Sequence, residues 1–380
     1  MIYLDHNATT PLHPRAREAM RPWLGERFGN PSSRDHARGW DAAEAVEDAR
    51  ARVAGAIGAG HHEVFFASGA TEALSIALAG LFPGGREGGG ILATAVEHAA
   101  VLAPCRGLGR RGVRLDLLAV DRAGRLDLSA LAESLAARRP RLLCVMAANN
   151  ETGVRFPVRA CADLAHAHGA LLLCDMAQAL GKLPVDAAAE GIDLAVFSAH
   201  KLGGPQGAGA LYLRGGREGI PLEPNAPGGG AEGGLRPGTP NVAALAGFGE
   251  ACRAATEDLA AESARLASLR DRLESGILAA VPGAAVNGDR ENRIPNTSNL
   301  RFPGIRAREL LRAVPEVAAS TRSACASGSA EPSHVLAAMG LSDEQAWASV
   351  RFSLGRANTE PDIDRAAELL AAAWRRLARA

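Results

Sequence analysis

Lysine is nearly absent from this chain. Of its 42 basic residues only Lys182 and Lys201 are lysines, and the other 40 are arginines. A guanidinium stays protonated at any ordinary pH, whereas an ε-amine can be desolvated, deprotonated and set to attack a carbonyl. Arginine therefore replaces lysine at solvated or ion-pairing positions but not where a nucleophilic amine is required. Each surviving lysine is a candidate for chemistry. Other absences narrow the field further. No apolar run is long enough to cross a bilayer, so no membrane partner is expected. The formal net charge is zero, with arginines dispersed among 42 acids, and nothing points to direct nucleic-acid binding. The six cysteines (Cys105, Cys144, Cys161, Cys174, Cys252, Cys325) contain no Cys-x-x-Cys pair. Neither a disulfide framework nor a metal site is expected. No G-x-G-x-x-G turn precedes an acid at dinucleotide-binding distance, which argues against a nicotinamide enzyme. The start of the chain lacks the basic and apolar stretches of a secretory signal, so a cytoplasmic, reducing location is expected.

What is present is the pattern of a large domain and a smaller one, as a chain of 380 residues suggests. Between about residues 40 and 215, helix-like stretches (Asp41 to Ile57, Thr71 to Leu81) alternate with apolar runs. The runs are Glu63 to Ala67, Ile91 to Ala93, Val113 to Leu118, Leu142 to Met146, Leu171 to Cys174 and Leu194 to Phe197. Continuous apolar strands separated by amphipathic helices predict an α/β fold with a mainly parallel sheet sandwiched by helices. The run Ala208 to Leu213 follows Lys201 too closely for a helical crossover and is expected to be antiparallel. Pro221 to Pro240 is rich in Gly and Pro and reads as a functional loop. A long helix, roughly Val242 to Leu278, leads into the smaller domain, and the last helix starts near Glu360.

Polar residues collect at the predicted strand ends, where an open α/β sheet places its chemistry. Lys201 follows the apolar run Leu194 to Phe197 through Ser198-Ala199-His200, which favours a chemical role; Lys182, in Gly181-Lys182-Leu183-Pro184, reads as a loop residue. Ser68-Gly69-Ala70-Thr71-Glu72 opens a helix after a strand and is either an anion cradle or an ordinary helix cap. Glu97-His98 offers a ring to stack on a planar ligand or move protons, or a surface histidine. Asn149-Asn150-Glu151-Thr152-Gly153 is a ligand-facing amide or a plain turn. Asp175, with Gln178 three residues on, ends so apolar a strand that burial without a cationic partner is costly. Together a Schiff-base lysine, an acid for a ring nitrogen, an amide near a phenolic oxygen and an anion cradle match the needs of pyridoxal 5′-phosphate. Cys325 lies in a small, polar segment beside Arg322, a setting for a nucleophilic thiolate rather than an incidental surface cysteine. Arg351, in the strand-like Val350 to Gly355, is either half of an ion pair or a clamp for a substrate carboxylate.

These motifs, with Tyr3 to Thr10, Gly29 to Ser33 and Glu331 to Leu336, resemble the cysteine desulfurases of the NifS/IscS kind, in the class-V aminotransferase group of fold-type-I pyridoxal-phosphate enzymes. The resemblance implies a large cofactor-binding domain over 13–254 and a small α+β domain from 1–12 and 255–380 that carries the Cys325 loop. It implies that L-cysteine is converted to L-alanine, with its sulfur passing to Cys325 as a persulfide. Lys201 would hold the cofactor as a Schiff base, His98 would stack on the ring and shuttle protons, and Asp175 would pair with the ring nitrogen. Gln178 and Asn150 would lie near the ring hydroxyl and substrate. Ala70, Thr71, Ser198 and His200 would hold the phosphate, Thr239 the phosphate of the partner subunit in an obligate homodimer, and Arg351 the substrate carboxylate. The sulfur would pass to an acceptor protein, an iron–sulfur scaffold or a thiolation enzyme. A selenocysteine lyase, another class-V enzyme or a non-catalytic scaffold of the same fold are the alternatives. Arg322, Ala231 and Pro237 depart from the family pattern.

Overall fold

The computed structural model describes residues 1–85, 89–321 and 331–379. Twelve strands are present among them: β1 (Ile2–Tyr3), β2 (Val64–Ala67), β3 (Ile91–Thr94), β4 (Leu115–Leu118), β5 (Leu142–Met146) and β6 (Leu171–Asp175). The rest are β7 (Leu194–Ser198), β8 (Gly209–Leu213), β9 (Ala285–Asn287), β10 (Thr297–Arg301), β11 (Val317–Ala318) and β12 (Ser349–Ser353). Seven of them form one sheet in the order β2-β8-β7-β6-β5-β3-β4. Its β4-β3-β5-β6-β7 portion is parallel, and β8 runs antiparallel to both β7 and β2, as the short link after Lys201 requires.

The apolar runs are continuous because both faces of this sheet are covered. Alternate residues point to opposite sides. Leu143 and Val145 of β5 pack in the cluster that contains Val46 and Val53 of helix Ala37–Ala56 and Leu131 and Leu135 of helix Leu128–Arg138. Leu142 and Cys144 pack in the other, with Leu74 and Leu78 of helix Ala70–Leu81 and Val101 of helix Ala99–Gly109. A third cluster lies beside the antiparallel sheet β12-β10-β9 and joins Leu300, Phe302 and Phe352 to Leu273 and Ile277 of helix Leu259–Ala280 and to Ile363 and Leu370 of helix Glu360–Leu377.

The N-terminal segment connects these layers. β1 pairs in parallel with β11, Asp5 bridges to Ser353, and Thr10 N donates to the His200 carbonyl at 3.0 Å. Residues 5–10 thus cross from the three-stranded sheet to the turn bearing Lys201.

Two sequence expectations need correction. The long helix expected over Val242 to Leu278 is two helices, Val242–Glu257 and Leu259–Ala280, broken at Asp258 (φ −121°). The Arg356 guanidinium grips the Asp258 carboxylate at 2.7 and 2.8 Å and also donates to the Ala254 carbonyl at 3.4 Å, which takes up the last turn. The helix expected from Asp41 begins at Ala37, because the His36 ring accepts from Gly39 N and caps it earlier.

The Gly/Pro-rich stretch 221–240 is anchored at Glu232 among other points. Glu232, at φ +49°, places its carboxylate on Arg50 at 2.7 and 2.9 Å and accepts from Phe66 N at 2.7 Å. Both side chains are largely buried, at 4% and 12% exposure. Glu232→Ala leaves a buried guanidinium short of its counter-charge and a strand N–H unpaired. The expected cost is about 3 kcal/mol in chemical denaturation; a loss below about 0.5 kcal/mol would mean that Glu47 alone satisfies Arg50.

Candidate active site

Five strand ends and β12 converge on a cavity of about 460 Å³. After β2, Ser68 and Gly69 lead into the helix that begins at Ala70, and Ala70 and Thr71 line the cavity with Ser198. A Cβ on Gly209 of β8 would come within 2.5 Å of the Gly69 Cα. Only glycine there lets β8 run against this turn. Glu72 accepts from Ser68 N and pairs with Arg236 at 3.3 Å, so the turn is capped as well as open to a ligand.

After β3, His98 caps helix Ala99–Gly109 by accepting from Ala100 N at Nδ1, 3.1 Å. Its remaining nitrogen, Nε2, carries the proton of the neutral ring. Burial lowers the His98 pKa, against the pull of Asp175 and with the push of Lys201. Behind it Glu97 is fully buried, with Oε1 accepting from Thr94 and Met146 N while Oε2 has no hydrogen-bond partner among the described residues. Burial raises this carboxyl to about 8.

After β5, the two asparagines divide the labour. Asn149 is a turn residue whose Oδ1 accepts from Glu151 N and Thr152 N at 2.9 and 3.0 Å. Asn150 faces the cavity, and its carbonyl receives Arg351 Nη1 and Asn7 Nδ2, each at 3.2 Å.

Asp175 ends β6 in the cavity wall, and among the described residues the one hydrogen bond to its carboxylate comes from Ala177 N at 3.0 Å. Burial raises its pKa, while His98, that hydrogen bond and Lys201 oppose the rise. Gln178 and His200 line the same space. Lys201 Nζ points into it from the turn after β7 and donates to the carbonyls of Asn7 (2.6 Å) and Ala8 (2.8 Å). Arg351 enters from β12.

Ten sequence-designated residues therefore share one cavity. Thr239 does not: it is exposed in the 221–240 stretch, away from this cavity. Cys325 lies outside the described residues, as does Arg322. The chain on either side is tied to the site, by Ser320 on Asp5 (2.8 Å) and Ser333 on Glu151 (2.5 Å).

Lys182 lies in a turn, as expected, but not at the surface. It is buried at 7% exposure, and its Nζ donates to Gln178 Oε1 and to Asn7 Oδ1. Burial, then Lys201 and Arg351, push its pKa well below that of an ordinary amine. Lys201 thus lines the cavity and Lys182 backs two of its lining residues, Gln178 and Asn7, places where a permanently charged arginine would not serve. Asp5, Asn7 and Glu97 were also passed over as site residues. The polar run Asp5-His6-Asn7 directly after an apolar strand was the available signal.

The aminotransferase class-V family model matches residues 2–366. The chain belongs to that family. Within it, the chain is similar to a protein of Anaeromyxobacter dehalogenans named cysteine desulfurase IscS, 43% identical over 379 residues, covering 99% of this chain and 93% of the relative. A NifS-like protein from Rickettsia africae superposes with a TM-score of 0.88 at 30% identity, covering 99% of both chains. A structure described as SspA in complex with cysteine gives 0.83 at 31% identity, over 93% of this chain and 99% of that one. The α/β sandwich expected from the sequence is the fold of these class-V proteins.

Charge at the site has a consequence for stability. Burial and the neighbouring lysines lower the pKa of both His6 and His200 from 6.5 to about 4. The unfolded chain takes up these protons first, so the stability they allow is complete above pH 6.5 and is lost as pH falls toward 4. Glu97 and Asp175, whose carboxyls are raised, act in the opposite sense, so the difference between variants is decisive. In urea denaturation, His200→Gln is expected to flatten the decline between pH 6.5 and 4; an unchanged slope would contradict a neutral buried His200.

Proposed function

We propose that this protein is a pyridoxal 5′-phosphate-dependent cysteine desulfurase. It converts L-cysteine to L-alanine, leaves the sulfur on Cys325 as a persulfide and passes it to an acceptor protein. One observation carries the reading: an amine, a donor-poor buried carboxylate and a buried guanidinium open on the same cavity in Lys201, Asp175 and Arg351. The cysteine found with the SspA relative supports the choice of substrate.

The residues fit the cofactor. Asp175 has no side-chain donor among the described residues, and a protonated ring nitrogen supplies the one it lacks. The helix start at Ala70 and Thr71, with Ser198 and His200, suits the phosphate. Gln178 and Asn150 suit the ring hydroxyl and the substrate. When bound, the cofactor supplies an electron sink for charge developing at the substrate α-carbon.

The protein's own groups do the rest. Lys201 Nζ, hydrogen-bonded to two carbonyls, is held ready for covalent attachment and afterwards takes and returns the α-proton. The neutral His98 ring exchanges a proton at Nε2. Arg351 binds the carboxylate and orients the amino acid. The Cys325 thiolate attacks the substrate sulfur: the S–S bond forms as the substrate's C–S bond breaks, and that electron pair returns to the β-carbon, which is protonated to give alanine. Thr239 would serve the phosphate of a partner subunit in a homodimer, and the divisions 13–254 and 1–12 with 255–380 would move as the two domains.

Two variants test this. Lys201→Ala purified with pyridoxal phosphate is expected to lose both the yellow band and alanine formation from cysteine. Cys325→Ala should stay yellow yet make alanine at least 100-fold more slowly, roughly the cost of losing an essential nucleophile. Full turnover by Cys325→Ala would mean that no persulfide forms at that thiol.

A further inference from the structure

Arg351 reaches the cavity already engaged. Its side chain is 1% exposed, with Nη2 on Asp5 Oδ1 at 2.6 Å, Nη1 on the Asn150 carbonyl at 3.2 Å, and Nε without a hydrogen-bond partner among the described residues. A buried guanidinium needs a counter-charge, and among the described residues Asp5 is the carboxylate that pairs with it. Asp5 is steadied from its other side, where Oδ2 accepts from Ser320 Oγ at 2.8 Å. Ser320 is itself paired with Arg351 through two backbone hydrogen bonds of 2.7 and 3.2 Å. Asp5 stands behind Arg351 rather than in the cavity wall. An incoming α-carboxylate therefore meets a guanidinium whose charge is matched, and two carboxylates on one guanidinium repel each other in so dry a place.

We propose that Asp5 is a positioning and specificity-determining residue that competes with the ligand's α-carboxylate for Arg351, so that amino-acid binding is an exchange of carboxylates on one guanidinium. The proposal rests on the reading of Arg351 as the carboxylate clamp. In the absence of a ligand, Asp5 keeps Arg351 neutralised and aimed. After turnover it weakens the hold on alanine, which carries the same carboxylate as cysteine. Affinity is exchanged for release.

The test compares ligands that differ only in that carboxylate. Binding of L-alanine and L-alaninamide to the holoenzyme is measured by calorimetry, and KM and kcat are measured with L-cysteine. Asp5→Asn is expected to bind L-alanine roughly tenfold more tightly, the size of a typical coupling between two sites, with a matching fall in the KM for L-cysteine. L-alaninamide binding should not change, and Asp5→Glu should remain near wild type. Equal changes for both ligands, or no tightening for L-alanine, would overturn the proposal and leave Asp5 a structural residue. Arg351→Gln separates the two levels. If it weakens L-alanine but Asp5→Asn does not strengthen it, the exchange fails and the clamp stands; if it leaves L-alanine binding unchanged, the clamp fails too. Should Asp5→Asn not accumulate, Asp5→Ser prepared in formate replaces it. Formate then supplies the missing counter-charge and is expected to compete with L-alanine but not with L-alaninamide; the absence of that competition would contradict the exchange.

Discussion

A single asparagine holds the site together. Asn7 is 1% exposed, and every polar atom of it is used. Its carbonyl accepts from Lys201 Nζ (2.6 Å) and Gln178 Nε2 (3.0 Å). Its Oδ1 accepts from Lys182 and Asn296, its Nδ2 donates to the Asn150 carbonyl and Thr297, and its N–H donates to Ser353. These partners come from the ends of β5, β6 and β7 on one side and from β10 and β12 on the other. A buried network of this kind is rigid when complete and costly when broken. The amine of Lys201 is therefore positioned by the N-terminal segment as much as by its own turn.

The electrostatic character of the cavity follows from that convergence. Lys201, Arg351, His98 and His200 line it, with Lys182 and His6 behind, while Asp175 and Glu72 are the acids in its wall and Asp5 stands behind Arg351. Burial first, and then the crowding of basic groups, disfavours protonation of His6, His200 and Lys182. A ligand with a phosphate and a carboxylate completes such a site. A guanidinium at position 182 or 201 would add a charge that no pH removes, and the rarity of lysine elsewhere makes these two positions conspicuous.

The sheet was legible in the sequence because a strand buried on both faces is a plain apolar run; β5 was placed to the residue. The break at Asp258 was not, since it depends on Arg356, almost a hundred residues away, gripping a helix that propensity alone would continue. At the site, residues that end strands were legible for the same reason as the strands: a polar group after Leu171 to Cys174 is conspicuous. The turn at Lys182 was legible from Gly181 and Pro184 but its burial was not, because nothing local reveals that Asn7, 175 residues earlier, closes over it. Asp5 and Asn7 act through the N-terminal crossing, a tertiary feature at which the polar run Asp5-His6-Asn7 only hints. Glu97 was read together with His98, yet its burial, with an Oε2 that has no hydrogen-bond partner among the described residues, comes from tertiary packing.

The central claim is that sulfur leaves cysteine onto the protein's own thiol, over a cofactor held at Lys201. It is tested most directly by one turnover. The holoenzyme is mixed with an equimolar amount of L-cysteine, alanine is quantified, and the peptide carrying Cys325 is weighed by mass spectrometry without reductant. The account predicts one alanine per active site and a mass gain of one sulfur atom on that peptide. Alanine formed while the Cys325 peptide gains no mass would contradict it.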